Sequence, residues 1–215
     1  MTKADNSPSR AAQTREAILV AAERLFAEDG VFAVSNRQVS EAAGQGNNTA
    51  VGYHFGTKAD LVRAIARKHT AQVEEIRARM VAETGDSTEL RDWLTCLVRP
   101  VTDHLAAVGS PTWFARFGAQ VMTDPVLRPI LVEETQTPSL ARVLSGLDSS
   151  LPDLPDDVRA ERKDMARQLL VHMIAERERA LAEDIPTPRA TWHEAATGLI
   201  DALAGLWRAP VTNDS

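Results

Sequence analysis

Residues 35–58 read SNRQVSEAAGQGNNTAVGYHFGTK, and the reading of this stretch decides the fold. Ser35 with Gln38 three residues on is a capping-box pair, so a helix starts there. Val39, Ala42 and Ala43 form its apolar side, and Gly44 turns the chain. Asn47 and Asn48 are favoured helix starters, which predicts a second short helix through about Tyr53. Thr57, with Asp60 in the third position, caps a further helix. Two short helices joined by a glycine-bearing turn have the layout of a helix-turn-helix, whose second helix enters the DNA major groove.

The charge distribution agrees with that layout. The 215-residue chain carries a formal net charge of -6. Residues 1–80 hold 11 Lys+Arg against 9 Asp+Glu, whereas the remainder holds 13 against 21. The basic end is the end with the helix-turn-helix, as a nucleic-acid reader requires, and the acidic body faces away from DNA. The single cysteine, Cys96, excludes an intramolecular disulfide and a cysteine-based zinc site. The N-terminal residues lack the apolar run of a signal peptide, and no stretch approaches the ~18 apolar residues of a spanning helix. A cytoplasmic protein without membrane contact is expected.

Apolar residues elsewhere recur at three- and four-residue spacing, with no sustained alternation of period two, so the chain is read as all-α with about nine helices. The first helix spans about 10–28, with Ile18, Ala22, Leu25 and Phe26 on one face and Gly30 as its stop. A rod follows over about 58–83 and ends at Gly85. Asp86 with Glu89 is read as a capping box opening a helix to about 107, kinked at Pro100. Pro111 fits the first turn of the next helix, to about 122. A segment follows over 125–144, then a loop over 146–156, a helix over 157–183, and a last helix from Thr187-Pro188 to before Pro210. The expected organisation is a flexible arm over 1–9, a three-helix DNA-binding domain over 10–56, a connecting helix over 57–84, a larger helical ligand-binding and dimerisation domain over 85–210, and a tail over 211–215.

Thr14-Arg15-Glu16-Ala17-Ile18-Leu19 and Ala21-Ala22-Glu23-Arg24-Leu25-Phe26 resemble the opening helix of TetR-family transcriptional regulators. Val39-Ser40-Glu41-Ala42-Ala43-Gly44 and Tyr53-His54-Phe55-Gly56-Thr57-Lys58, followed by Leu61, extend the resemblance in the family's order and spacing. The stretch from Gly44 to Phe55 is one residue longer than the commonest family pattern, and Gly52 stands where many members carry an aromatic. The chain looks like those members with an Asn-Asn-Ser/Thr-Ala-Val-x-Tyr-His-Phe segment. The resemblance implies a ligand-responsive DNA-binding regulator, most often a repressor released from a palindromic operator on double-stranded DNA. A small-molecule-binding or scaffold protein of the same fold, without operator binding, is the alternative.

The side chains suit a DNA surface. Gln45, Asn47, Asn48 and Thr49 cluster at the start of the second helix; Asn and Gln pair with adenine edges, and Thr touches a thymine methyl or a phosphate. Asn47 fits equally as a plain helix cap. Gly52 allows close approach, and Tyr53 and His54 donate to phosphate oxygens. Lys58 lies in a first helical turn, where the dipole disfavours a cation unless an anion sits there too. With Thr57 and the exposed backbone N–H groups it is expected to clamp a phosphate, the role the resemblance also gives it. Arg37 is a second phosphate candidate.

Two further sets of residues follow from the helical faces. Trp93, Cys96, Leu97, Val101, His104, Trp113, Phe114, Phe117, Gln120, Val121, Met165, Leu169 and His172 are expected to line an apolar ligand pocket with a few oriented polar groups. Leu170, Ile174, Ala195, Gly198, Leu199, Ala202, Gly205 and Leu206 are expected to form a homodimer seam. A mid-helix glycine costs about 1 kcal/mol against alanine, and close helix–helix approach offsets it. No Ser/Cys-His-Asp grouping is legible, and the five histidines lack metal-ligand spacing. No enzyme activity, cofactor or metal is expected.

Overall fold

The computed structural model describes residues 9–47 and 49–212. Asn48 and residues 1–8, which were expected to read DNA and to form an arm, lie outside the described residues, as do residues 213–215. Among the described residues ten helices follow one another: α1 (Arg10–Asp29), α2 (Asn36–Ala42), α3 (Ala50–Phe55), α4 (Lys58–Thr84), α5 (Leu90–Val108), α6 (Phe114–Thr123), α7 (Arg128–Thr135), α8 (Pro138–Ser150), α9 (Asp156–Ala182) and α10 (Trp192–Arg208). No strand occurs among the described residues.

Local signals set most helix ends. Ser9 caps α1 by accepting from the Ala12 N–H, and Gly30, at φ 88°, stops it in a conformation that disfavours other residues. The capping boxes at Ser35 and Thr57 are both closed. A third box, Thr191 with Glu194, starts α10 later than the Thr187-Pro188 expectation. The delay has a tertiary cause. Arg177 of α9 donates to the carbonyls of Arg189 and Ala190, which holds the preceding segment as a loop.

Two apolar cores result. The first joins Ile18, Phe26, Val39, Val51, Phe55, Leu61 and Ile65 of α1–α4 to Phe117 and Val121 of α6 and Leu131 of α7. The second joins Trp93, Leu94 and Leu105 of α5 to Val143 of α8, Ile174 of α9 and Ile200 and Leu203 of α10. α4 spans both, with Leu61 and Ile65 in the first and Met80 and Val81 packed against the second. The small helix-turn-helix therefore shares its core with α6 and α7 rather than closing on itself.

Several sequence expectations are corrected. The segment 125–144 is two helices, because Thr137 caps a new start by accepting from the Leu140 N–H and Pro138 occupies its first position. Ten helices among the described residues thus replace about nine. Residues 146–150 continue α8 instead of opening a loop, since Gly146 packs against Trp93. The Asp86 box does not form. Asp86 pairs with Arg142 instead, and Ser87 accepts from the Glu89 N–H. Pro111 lies outside the helix, which begins at Phe114. α5 runs on through Pro100. A proline there cannot donate to the carbonyl four residues back, and that carbonyl, of Cys96, accepts instead from Arg77 Nε of α4 at 3.3 Å.

Buried charges on α9 tie α6 and α10 to it. The Glu178 carboxylate accepts from the N–H groups of Ala115 and Arg116 and from the Thr112 hydroxyl, which supplies α6 with its N-terminal cap from another helix. Arg162 donates to the carbonyls of Trp207 and Pro210 at the far end of α10. No local pattern in α6 or α10 announces either partner.

Candidate nucleic-acid interface

α2 and α3 form the helix-turn-helix. Val39 and Ser40 bury the inner side of α2, and the Gly44 residue, at φ 68°, makes the turn that a larger residue would strain. The Gln45 N–H donates to the Ser40 carbonyl, and its side-chain amide donates to the Ala43 carbonyl. Gln45 is thus engaged in the turn itself. Asn47 Oδ1 accepts from both the N–H and the hydroxyl of Thr49, at 3.0 and 2.7 Å. This Asx turn starts α3 at Ala50, later than the Asn47–Asn48 expectation.

α3 buries Val51 and Phe55, which leaves Thr49, Gly52 and Tyr53 outward at three- and four-residue spacing. Tyr53 is 86% exposed, and the half-buried His54 meets its ring edge-on at 5.0 Å. Apart from Gly52 itself, its chain neighbours and the adjoining backbone of α3, no described heavy atom lies within 4 Å of where a Cβ on Gly52 would stand, so that position is open to an approaching surface. Arg37 sits on the exposed side of α2, with Nε donating to Glu41 at 2.8 Å. That contact raises its pKa. Arg15 of α1 stacks over Phe55 at 4.6 Å.

The Thr57–Lys58 corner is built differently from the expected phosphate clamp. The Thr57 hydroxyl donates to Asp60 at 2.6 Å, and these bonds from Thr57 hold the Asp60 carboxylate below its ordinary pKa. A carboxylate therefore already stands at the N-terminus of α4. The Lys58 ammonium turns inward and donates to the carbonyls of Val31 and Val34 at 2.9 and 2.6 Å. These carbonyls belong to the turn between α1 and α2 and have no helical partner, so the lysine satisfies them and pins the turn. Burial lowers the Lys58 pKa.

The residues expected to line a ligand pocket do not converge; they fall into separate places. Trp93 is 1% exposed and donates its indole N–H to the Ser87 carbonyl. Cys96 is buried, and burial raises its thiol pKa. Leu97 and Val101 pack beside them on the second core. Phe117 and Val121 belong to the first core, and Trp113 donates to Glu28 of α1. Gln120 opens on a polar cleft of about 470 Å³ between α1, α6 and α9, with Arg116 and Arg179 beside it. Met165, Leu169 and His172 lie on the outer face of α9, where with Met173, Ala202 and Leu206 they line an open groove of about 840 Å³. The breadth of apolar positions on α9 hid which side faces inward. His104 and Phe114 contact His69 of α4, one of the histidines without metal-ligand spacing.

The expected dimer seam splits as well. Ile174 and Leu199 are buried in the second core. Leu170 is half-buried against it, and Ala195 and Gly198 on α10 are half-buried. A Cβ added at Gly198 would stand 3.8 Å from the Arg189 guanidinium. Ala202 and Gly205 are exposed, and Leu206 is partly so.

A glycine-turned helix pair with α3 presenting a polar outer face, carried on a larger helical body, defines a helix-turn-helix protein of the two-part regulatory type. Residues 18–65 match the family model described as bacterial regulatory proteins, tetR family, and residues 95–205 match the tetracyclin repressor-like C-terminal domain. The chain belongs to the TetR family of bacterial regulatory proteins. Among curated proteins it is similar to the HTH-type transcriptional repressor AcnR of Corynebacterium glutamicum, 29% identical over 124 residues that cover 54% of either chain. It is also similar to AcnR of Corynebacterium diphtheriae, 34% identical over 122 residues, 55% of this chain and 56% of that one. The chain thus spans about half the length of the curated relatives it matches. A solved structure, of the multidrug binding protein EbrR complexed with imidazole, superposes with a TM-score of 0.50 at 21% identity, over 99% of this chain and all of that one, which is a likeness of fold. The family comprises regulatory proteins rather than enzymes. No helix among the described residues is long and apolar enough to cross a membrane.

Proposed function

We propose that the protein is a cytoplasmic, ligand-responsive repressor that binds a palindromic operator on double-stranded DNA as a homodimer. One observation carries the reading: α3 presents Thr49, Gly52 and Tyr53 outward with Asn47 at its start, a polar and open face on an otherwise apolar helix. The segment from Asn47 to Phe55 serves as the recognition element, as in family members with the Asn-Asn-Ser/Thr-Ala-Val-x-Tyr-His-Phe pattern. Thr49 and Asn47 read bases; Tyr53, His54 and Arg37 meet phosphates. Residues 10–56 act as the reader, 57–84 as the connector and 85–210 as the sensing and dimerising body. The repressor names of the curated relatives support the direction of regulation.

The dimer forms across α9 and α10. The open groove with Met165, Leu169, Met173, Ala202 and Leu206 is mostly apolar and lies on the face of these helices away from the core. Covering it with a second copy removes apolar area from water, and two-fold symmetry places two α3 helices about one DNA turn apart or slightly more. A small apolar ligand in the body shifts the population between two placements of α4, and so the separation of the two recognition helices. The aromatic groups of α5 and α6 are packed in the two cores, so a ligand among them stabilises an opened form.

A fluorescence titration against the DNA upstream of the chain's own coding sequence tests the reading. Binding should weaken steeply and linearly in log–log form as salt rises, because phosphate contacts release counterions. Absent or salt-insensitive binding would sink it.

A further inference from the structure

A buried polar chain links the reading unit to the body. Glu23 of α1, His69 of α4 and His104 of α5 are 5%, 5% and 6% exposed. His69 Nε2 lies 2.9 Å from Glu23 Oε2, and His69 Nδ1 lies 2.8 Å from His104 Nε2. Phe114 of α6 stacks on the His69 ring at 4.0 Å with 12° between planes, and meets His104 edge-on at 6.2 Å. Phe114 packs against both apolar cores, so the chain stands at their seam. An amphipathic α1 needs no carboxylate at an inner position; Glu23 is there with one partner, reached 46 residues away.

The His69 Nε2–H donates to the Glu23 carboxylate, and the tautomer decides which ring nitrogen donates between His69 and His104. Burial, with His69 beside it, holds the His104 pKa down to about 4, so this imidazole stays neutral at ordinary pH. Each link needs its neighbour at bonding distance, since water has no access to replace a lost partner. A slide of α5 past α4, or of α4 past α1, leaves a buried nitrogen or oxygen unpaired. Packed methyl groups tolerate such a slide far better.

We propose that the Glu23–His69–His104 chain is the joint that holds the reading unit in one position on the body, and that movement of α5 or α6 reaches α1 through it. His69 and His104 act as positioning residues and touch no DNA. The inference rests on the proposed dimeric DNA reading only for its readout on DNA.

The full-length His104→Phe variant tests it, because phenylalanine fills the space without bonding His69. Affinity for the complete upstream site should fall at least ~10-fold, while affinity for a duplex holding one half-site stays within about two-fold, since only the complete site demands a fixed separation of two readers. Hydrogen exchange of the DNA-free protein should quicken at amides of α1 around residues 18–27, on the far side of the chain from the substitution. Glu23→Leu, cutting the chain at its other end, should give the same split and stands in if His104→Phe does not fold. Glu23→Gln retains an acceptor for His69 and should behave like the parent. Equal losses on both duplexes, no loss on either, unchanged exchange in α1, or a Glu23→Gln as impaired as His104→Phe each overturn the joint. If the parent protein binds no upstream DNA, the functional reading fails, and the exchange result alone decides the joint.

Discussion

Replacing Gly146 with alanine should destabilise the protein by about 3 kcal/mol, although the same change in an open helix stabilises by about 1 kcal/mol. Gly146 lies in α8 with its Cα against the indole of Trp93, and an added Cβ would stand 2.2 Å from two ring carbons and 2.7 Å from a third. Ordinary carbon contacts lie near 3.5–4.0 Å, so helix and ring must separate by more than about 1 Å. The ring has little freedom to give way. It is 1% exposed, its N–H donates to the Ser87 carbonyl at 2.9 Å, and the Arg142 guanidinium covers it at 4.6 Å. Overpacking of this kind costs about 3 kcal/mol, and displacing the indole from its hydrogen bond costs roughly 1 more. The helix-propensity gain of about 1 kcal/mol offsets part of that. Urea unfolding followed by far-ultraviolet circular dichroism, at unchanged slope, measures the difference, and the melting temperature should fall roughly 6–12 °C. The Trp93→Phe background should recover at least ~1 kcal/mol of the loss, as contacting residues couple. A Gly146→Ala protein as stable as the parent would refute the reasoning, because it would mean that α8 does not lie against the ring.

Lys58→Ala should cost about 1.5–3 kcal/mol in urea unfolding, since it strips the Val31 and Val34 carbonyls of a charged donor, and unchanged stability would show that the ammonium is not held there. Whatever DNA affinity the same variant loses should be alike for all sequences; an altered sequence preference would contradict a role confined to placing the turn. Ala202→Glu puts a charge into the α9–α10 groove beside Glu161 and Asp164, and should leave a monomer by sedimentation velocity; an unaltered mass would refute the seam. The Glu74 carboxylate is pushed up by burial but pulled below its ordinary pKa by bonds from the Ser139 and Thr137 side chains and the Ser139 backbone. Its folded pKa is the lower one, so its contribution is present above the unfolded carboxylate range and is lost as pH falls through the folded value. Glu74→Gln should therefore be less stable than the parent at neutral pH and lose less stability on acidification below about pH 5. Parallel stability curves for the two proteins would exclude the linkage.

Much of the reading unit is visible in the chain because its determinants are local. The Ser35–Gln38 and Thr57–Asp60 boxes, the stops at Gly30 and Gly85 and the turn at Gly44 each involve residues within four positions of one another. The start of α3 is the exception. Asn47 was read as a cap on the helix, but its oxygen takes both donors of Thr49 and moves the start to Ala50, a competition between two local bonds that composition alone does not rank. The ligand side is less legible. Met165, Leu169 and His172 share a helix with Ile174 and Ala175, and apolar residues around most of α9 leave its orientation open until α6 and α10 are docked.

By itself the sequence determined where most helices begin and end and which segment forms the helix-turn-helix, since caps, turns and three-to-four-residue periodicity act over a single helical turn. The tertiary structure alone decided what the isolated polar and small residues do. Lys58 bonds carbonyls 24 and 27 residues away, Glu178 caps a helix more than 60 residues before it, and Arg77 takes the carbonyl that Pro100 leaves free. Glu23, His69 and His104 look unrelated along the chain and form one line of hydrogen bonds across three helices. Such partners are chosen by which unsatisfied donor and acceptor folding buries side by side, and that choice exists only once the helices have packed.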